Sequence, residues 1–365
     1  MNLLFLVPGH VGGSEPLLTN LVRAMAEKGS ELVIFALRGF CNAHPAVAER
    51  CSVIEIPWSR NIQPLRIAVE HSWLPIEASR RKLDLIHHGV GTAPFLKALP
   101  TAVTIHDIQY RHYPRNFSPA KRAWLQANVP LAARRSEVVC VPSLFVAEDL
   151  VRSFRIDPNK VVVVPFGSQG LLGSSPAAAS AMRERYGLQR PFFLFPGTAY
   201  PHKGHCFLIR AYAPLAAEAD LVLTGPPWPH DGRVLDEVRR LNLRGRVRHL
   251  GVVPREHLGG LYRAAAALAY PTRFEGFGAP ALEAMSLGCP VVASNAAAVP
   301  EVVGEAGILL DADDLDGWTR ALGRILGDEA QRDELIRRGL ARAAEFSWER
   351  AGQLQLSAYE KALSA

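Results

Sequence analysis

At 365 residues the chain is too long for one ordinary hydrophobic core and suits two domains. Its 48% hydrophobic and 21% charged content is that of a soluble globular protein without an apolar run long enough for a membrane span, and its five scattered cysteines (Cys41, Cys51, Cys140, Cys206, Cys289) exclude a disulfide framework and a zinc spacing and fit a reducing cytosol. The net charge of +6 is lopsided: residues 1–170 hold 19 Lys and Arg against 13 Asp and Glu, and the remainder 22 of each, so the first half suits an anionic partner as well as plain solubility.

The opening MNLLFLVPGH has no basic leader or cleavage-like site, so Leu3–Val7 is expected as a first strand and not as a signal peptide. A helix to about Lys28, closed by Gly29, and a strand over Glu31–Leu37 follow. Strand, glycine turn, helix and strand are the start of a doubly wound α/β domain. Gly12 and Gly13, just before the cap Ser14, are placed to let a phosphate reach the helix N-terminus; a plain tight turn explains them equally, since neither GxGxxG nor a Walker pattern is present.

Further strands are expected at Val53–Ile56, Leu83–His87, Ala102–His106, Val138–Val141 and Val161–Val164, with helices near 62–81, 119–135 and 144–154. His87-His88 has no third ligand at useful spacing and reads as strand-end packing. His106-Asp107 closes a strand at its carboxyl edge, where ligands of open α/β sheets bind, and Asp107 is the expected partner orienting the imidazole. Between Arg111 and Arg135 basic and aromatic residues alternate, which reads either as an acceptor or membrane-surface patch or as a solvated helix face.

Small, turn-rich residues 169–180 are expected as an interdomain linker. A second doubly wound set begins at Phe192–Phe195, followed by the loop from Gly197 through Thr198 to His202-Lys203-Gly204 and a helix over Phe207–Ala217. A lysine beside a helix N-terminus is a natural diphosphate clamp. Strands at Leu221–Thr224 and from Arg248 lead into Gly251-Val252-Val253-Pro254. Asp311-Ala312-Asp313 matches an Asp-x-Asp metal pattern, but it lies between the strand Ile308–Leu310 and a helix, where capping explains it better.

The most informative stretch is Tyr270–Ser294. An apolar strand ending at Tyr270 leads to a loop holding Glu275, Gly276, Phe277 and Gly278, then a helix from near Pro280 that carries Glu283 and stops at Gly288, then a strand over Pro290–Ser294. The glycines let the backbone approach a ligand and present N–H groups to it. Carboxylates accept paired hydrogen bonds from vicinal hydroxyls, so Glu275 and Glu283 are suited to hold a sugar and a ribose at opposite ends of one ligand.

Glu275-Gly276-Phe277-Gly278, Glu283-Ala284-Met285, Gly288-Cys289-Pro290-Val291-Val292 and Pro300-Glu301-Val302-Val303 together resemble the Glu–seven–Glu signature of retaining family 4 glycosyltransferases. The likeness covers most of the chain, and His106-Asp107-Ile108-Gln109-Tyr110 with His112-Tyr113-Pro114 resembles a mannosyltransferase-like branch. It implies the GT-B fold, two doubly wound Rossmann-like domains facing a cleft. The domains would be an acceptor-binding domain at 1–168, the linker 169–180, a nucleotide-sugar-binding domain at 181–346, and a C-terminal helix over 347–365 returning to the first domain.

The resemblance also implies roles. His106, Glu275 and Lys203 would be catalytic, with His106 pointing at the donor sugar and Lys203 on the diphosphate. Gly12, Gly13, Asp107, Thr198, His202, Lys203, Val252, Val253, Gly276, Phe277, Gly278 and Glu283 would bind the donor, Val252 and Val253 packing on the base. His202 stands where the family usually has Arg, so a diphosphate-protonated imidazole is the expected substitute cation. The expected activity is transfer of a hexose, mannose from GDP-mannose, with retention and without a metal or other cofactor. UDP-glucose, GDP-fucose or dTDP-rhamnose with a small-molecule acceptor is the alternative, and a non-catalytic nucleotide-sugar-binding protein the alternative class. Expected partners are a nucleotide sugar and a glycan or lipid-linked acceptor, with peripheral association at the inner face of the membrane, a cytoplasmic location, and no nucleic acid.

Overall fold

Short runs of β-branched, aliphatic and aromatic residues, the central ones buried on both faces, build parallel sheets in this chain. The computed structural model describes residues 1–8, 14–58, 62–95, 97–168, 177–226 and 232–365. It divides into two compact units, Met1–Gly167 with Ser347–Ala365, and Ser168–Phe346.

In the first unit β1 (Val33–Leu37) pairs with β2 (Ser52–Ile56), and β3 (Ile86–His88), β4 (Thr101–Thr104), β5 (Val138–Val141) and β6 (Val161–Val163) form a four-stranded run, all parallel. Asn2 joins the two sets by bridging Phe35 and His88. The expected strand Leu3–Val7 does not form. The Asn2 Oδ1 accepts the Leu4 N–H at 3.1 Å and the Leu6 N–H bonds the Leu3 carbonyl at 3.0 Å, which turns the chain out of the ladder. His87 is packed as a strand-end residue, its ring between the Tyr359 hydroxyl at 2.6 Å and the Thr104 hydroxyl at 2.8 Å.

Helices Pro119–Arg135 and Leu144–Phe154 enclose a core of Val103, Ile105, Tyr110, Val129, Val139 and Leu150. In the segment expected as a basic and aromatic patch, Phe117 packs against this core and Lys121 lies over its ring at 5.5 Å, while Arg111 lies over Phe154 at 5.2 Å. Three of those side chains are therefore engaged internally. The last helix, Trp348–Leu363, belongs to this unit. It packs on helix Ser14–Glu27, where a Cβ at Gly352 would sit 3.1 Å from Ala24, and Gln355 reaches Cys140 at 3.2 Å.

The second unit holds β7 (Phe192–Pro196), β8 (Asp220–Thr224), β9 (Val247–His249), β10 (Ala267–Tyr270), β11 (Val291–Ser294) and β12 (Ile308–Leu310) in one parallel sheet, ordered β12-β11-β10-β7-β8-β9. Phe192, Phe193, Phe195, Tyr212, Tyr262, Tyr270 and Trp318 are fully buried, each Phe contributing about 1.5–3 kcal/mol by leaving water. The strand order reverses between β7 and β10. The carboxyl end of such a switch point opens a crevice in doubly wound sheets. Of the expected linker, residues 169–176 lie outside the described residues, and residues 177–180 are helical, in Ala177–Arg185. Among the described residues no helix is long and apolar enough to cross a membrane.

Candidate active site

The loops leaving β7 and β10 hold the cluster. From Pro196 the chain passes Gly197 and Thr198 into a tight turn over Pro201–Lys203, and Gly204 then starts helix His205–Tyr212. Gly204 has φ 76°, and a Cβ there would lie 2.6 Å from the Pro271 carbonyl oxygen, so only glycine lets this loop press on the end of β10. The Arg273 N–H donates to the His202 carbonyl at 2.7 Å, a second stitch between the loops. Beyond β10, Gly278 at φ 101° opens helix Ala279–Ser286, with Pro280 in its first turn. Two helix N-termini thus follow the two strands that flank the switch point.

Lys203 Nζ donates to Oε1 of Glu275, and the Thr272 hydroxyl reaches the same oxygen at 3.0 Å. Burial pushes the Glu275 carboxyl up, but the Lys203 charge and hydrogen bonding from Lys203, Tyr270 and, least, Thr272 outweigh it and hold the group below the usual carboxylate range. Glu275 is therefore an anion at neutral pH. The Phe277 ring is 6% exposed and packs edge-on against Phe346 at 6.0 Å, which leaves the Gly276–Gly278 segment its backbone to offer a ligand.

Glu283, one turn into its helix, is set differently. It is 9% exposed, accepts the Tyr262 hydroxyl at 3.2 Å on Oε2, and has the Arg255 guanidinium 3.5 Å from Oε1. Burial raises its carboxyl, and Arg255 and Tyr262 only partly oppose that rise.

His202 is 1% exposed and its ring stacks on Tyr200, centroids 5.8 Å apart. With no ligand bound, burial and the neighbouring Lys203 lower its pKa to about 4, so the free site holds a neutral imidazole at neutral pH. Thr198 is part-buried, and its carbonyl accepts the Tyr200 N–H at 2.8 Å. Val252 is 51% exposed, whereas Val253 is buried at 7%.

Asp311 and Asp313 serve local structure. The Asp311 carboxylate accepts the Asp313 N–H at 2.8 Å, Arg273 pairs with Asp313, and the cap of helix Leu315–Gly327 is Asp314. Among the described residues no cluster of three or more His, Cys, Asp or Glu could hold a metal ion.

His106 and Asp107 belong to the other unit, just past β4, which ends at Thr104 and not at His106. The hydrogen bond holding the His106 ring is from Nε2 to the Gly89 carbonyl at 3.2 Å, and burial pushes its pKa down. Asp107 is not its partner. That carboxylate folds over the following turn and accepts the Gln109 N–H at 2.9 Å. Gly12 and Gly13 lie outside the described residues.

A parallel α/β unit with a cation, a carboxylate and two helix N-termini gathered at its switch point offers a crevice suited to a ligand that carries negative charge. Residues 11–167 match the family described as Glycosyltransferase Family 4, and residues 190–328 match Glycosyl transferases group 1. The chain is 32% identical to O-antigen chain mannosyltransferase B of Escherichia coli over 78% of this chain and 76% of that protein. It is 30% identical to D-inositol 3-phosphate glycosyltransferase of Xylanimonas cellulosilytica over 97% and 93%. It is 26% identical to MMP alpha-(1->4)-mannosyltransferase of Mycolicibacterium hassiacum over 97% and 96%. In fold it is similar to sucrose-phosphate synthase from Thermosynechococcus elongatus, with TM-score 0.77, 21% identity and coverage of 100% and 98%. The chain belongs to glycosyltransferase family 4 and is a hexosyltransferase of the GT-B fold.

The sequence reading did not single out Thr272, Tyr262 or Arg255. Arg255 and Tyr262 are seven residues apart on helix Arg255–Ala264, two turns and hence one face, and that spacing was the available signal. Thr272 had none beyond its place three residues before Glu275.

Proposed function

We propose that the protein transfers a mannosyl unit from GDP-mannose to a glycan or lipid-linked acceptor, with retention at the anomeric carbon and without a metal ion. The observation that carries this reading is the Lys203–Glu275 pair at the β7/β10 switch point, flanked by two helix N-termini. Two relatives named as mannosyltransferases support the choice of sugar.

In this reading the bond from the anomeric carbon to the diphosphate breaks, and negative charge grows on the departing oxygen. Lys203 and the N-terminus of helix His205–Tyr212 stabilise it, the task a metal performs elsewhere. Lys203 has three N–H donors and gives one to Glu275, so it can bridge to a phosphate. As it does, the Glu275 anion faces the positive sugar ring, and the backbone at 276–278 meets the sugar hydroxyls. The acceptor hydroxyl attacks the face the diphosphate leaves, and its proton passes to the departing phosphate oxygen. Glu283 holds the ribose. The basic surplus of residues 1–170 suits an anionic lipid diphosphate or membrane face.

A second reading keeps this chemistry and replaces the glycan by a small-molecule acceptor. The relatives named D-inositol 3-phosphate glycosyltransferase support it.

Thermal shift with GDP, UDP, dTDP and their sugars tests the donor, because a ligand at a hundredfold its Kd adds about 2.7 kcal/mol. A shift selective for GDP and GDP-mannose, unchanged by EDTA and lost in Glu283→Ala, is expected. A UDP-selective shift overturns the choice of donor, and no shift with any nucleotide overturns the donor site.

A further inference from the structure

Thr272 lies between β10 and the Glu275 loop with no exposed surface at all. Its hydroxyl has two acceptors in range, Glu275 Oε1 at 3.0 Å and the Phe274 carbonyl at 3.2 Å. A hydroxyl has one proton, and the charged acceptor is the stronger and the nearer. The backbone of Thr272 is fixed in turn, since the wholly buried Ser294 hydroxyl at the end of β11 donates to the Thr272 carbonyl. Glu275 is thereby hydrogen-bonded from two sides, with the buried Tyr270 hydroxyl of β10 also bearing on it. Lys203 comes from the β7 loop and is the side a phosphate can draw away; Thr272 comes from β10 and is tied to β11.

We infer that Thr272 is a positioning residue of Glu275, keeping the carboxylate aimed at the donor sugar when Lys203 turns to the diphosphate. This rests on the role given to Glu275 above. A lysine shared between carboxylate and phosphate cannot alone fix the carboxylate during the reaction, whereas a hydroxyl on a buried, doubly held strand end can. The hydrogen bond from Thr272 is also among the causes that hold Glu275 below the usual range. Removing it raises the Glu275 pKa, so the acid limb of the pH–rate profile, where activity is lost as Glu275 is protonated, moves to higher pH.

The test compares Thr272→Val, which keeps the shape, and Thr272→Ser, which keeps the hydroxyl, in hydrolysis of GDP-mannose, or of UDP-glucose if that is the donor turned over. Circular dichroism and melting of each variant confirm the fold. Thr272→Val is expected to lower kcat about tenfold, as loss of a hydrogen bond to a charged group does, with donor KM within about twofold and the acid limb moved upward. Thr272→Ser restores both rate and acid limb. In a Glu275→Gln background Thr272→Val should change the residual rate little. Wild-type kcat and acid limb in Thr272→Val overturn the inference. So does a loss of rate shared by Thr272→Ser with no movement of the acid limb, which marks a packing role. If Glu275→Gln itself keeps full activity, the reading of Glu275 fails first, and the inference with it.

Discussion

Glu275 and Glu283 are two turned-in carboxylates on one short stretch of chain, and the structure gives them opposite electrostatics. Burial acts upward on both. At Glu275 a lysine with tyrosine and threonine hydroxyls overcomes it and the group is held low; at Glu283 a guanidinium 3.5 Å away and a tyrosine hydroxyl do not, and it is held high. The low carboxylate is a committed anion, fit to face positive charge that exists only as the glycosyl bond breaks. The high one is a hydrogen-bond acceptor on a rigid helix, fit to hold hydroxyls that are the same before and after reaction. Interactions made only in the transition state change kcat, and uniform ones change KM.

The largest expected effect breaks the first half of the comparison. Glu275→Gln keeps shape and removes charge, and it should cut donor hydrolysis and transfer by roughly 10³-fold, the scale of a lost preorganised electrostatic group. Steady-state kinetics on GDP-mannose check it. Glu283→Gln should instead raise donor KM by about 10–100-fold with a smaller change in kcat, as loss of charged hydrogen bonds to a hydroxyl pair does. Equal kcat and KM patterns in the two variants would erase the distinction.

Stability sharpens it further. Glu275, with a lowered pKa, contributes stability that is present above its unfolded pKa and is lost as pH falls through the folded value. Glu283, with a raised pKa, costs stability when ionised. At pH 7 Glu275→Gln should therefore lower Tm, whereas Glu283→Gln should leave it unchanged or raise it. Melting curves of the two variants side by side read this directly.

The fold was legible because its signals are local. Buried runs such as Phe192–Phe195 and Val138–Val141 could only be parallel strands, and Gly288 and Gly29 mark helix ends as glycines do. The strand at Leu3–Val7 was misread because one buried side chain, Asn2, takes over a backbone amide that the ladder would use. Loop and helix positions of Lys203, Glu275 and Glu283 were legible for the same local reasons. Their environments were not. Burial of His202 and Val253 and the Gly89 partner of His106 depend on contacts between distant segments, which spacing does not encode.

Smaller effects follow from those corrections. His202 is held at about 4 in the free site, so His202→Asn should leave the shape of the kcat/KM profile, which reports the free enzyme, unchanged between about pH 6 and 8. Asp313 pairs with Arg273 at the surface, and Asp313→Asn should change activity by less than about twofold, with or without EDTA.

The most direct test of the central claim is NMR of the product formed from GDP-mannose, whose sugar is α-linked, in the presence of EDTA. An α-anomeric mannosyl product from the wild type and none from Glu275→Gln is the predicted result. A β-anomeric product, or turnover that stops on chelation and returns with added metal, would contradict the account.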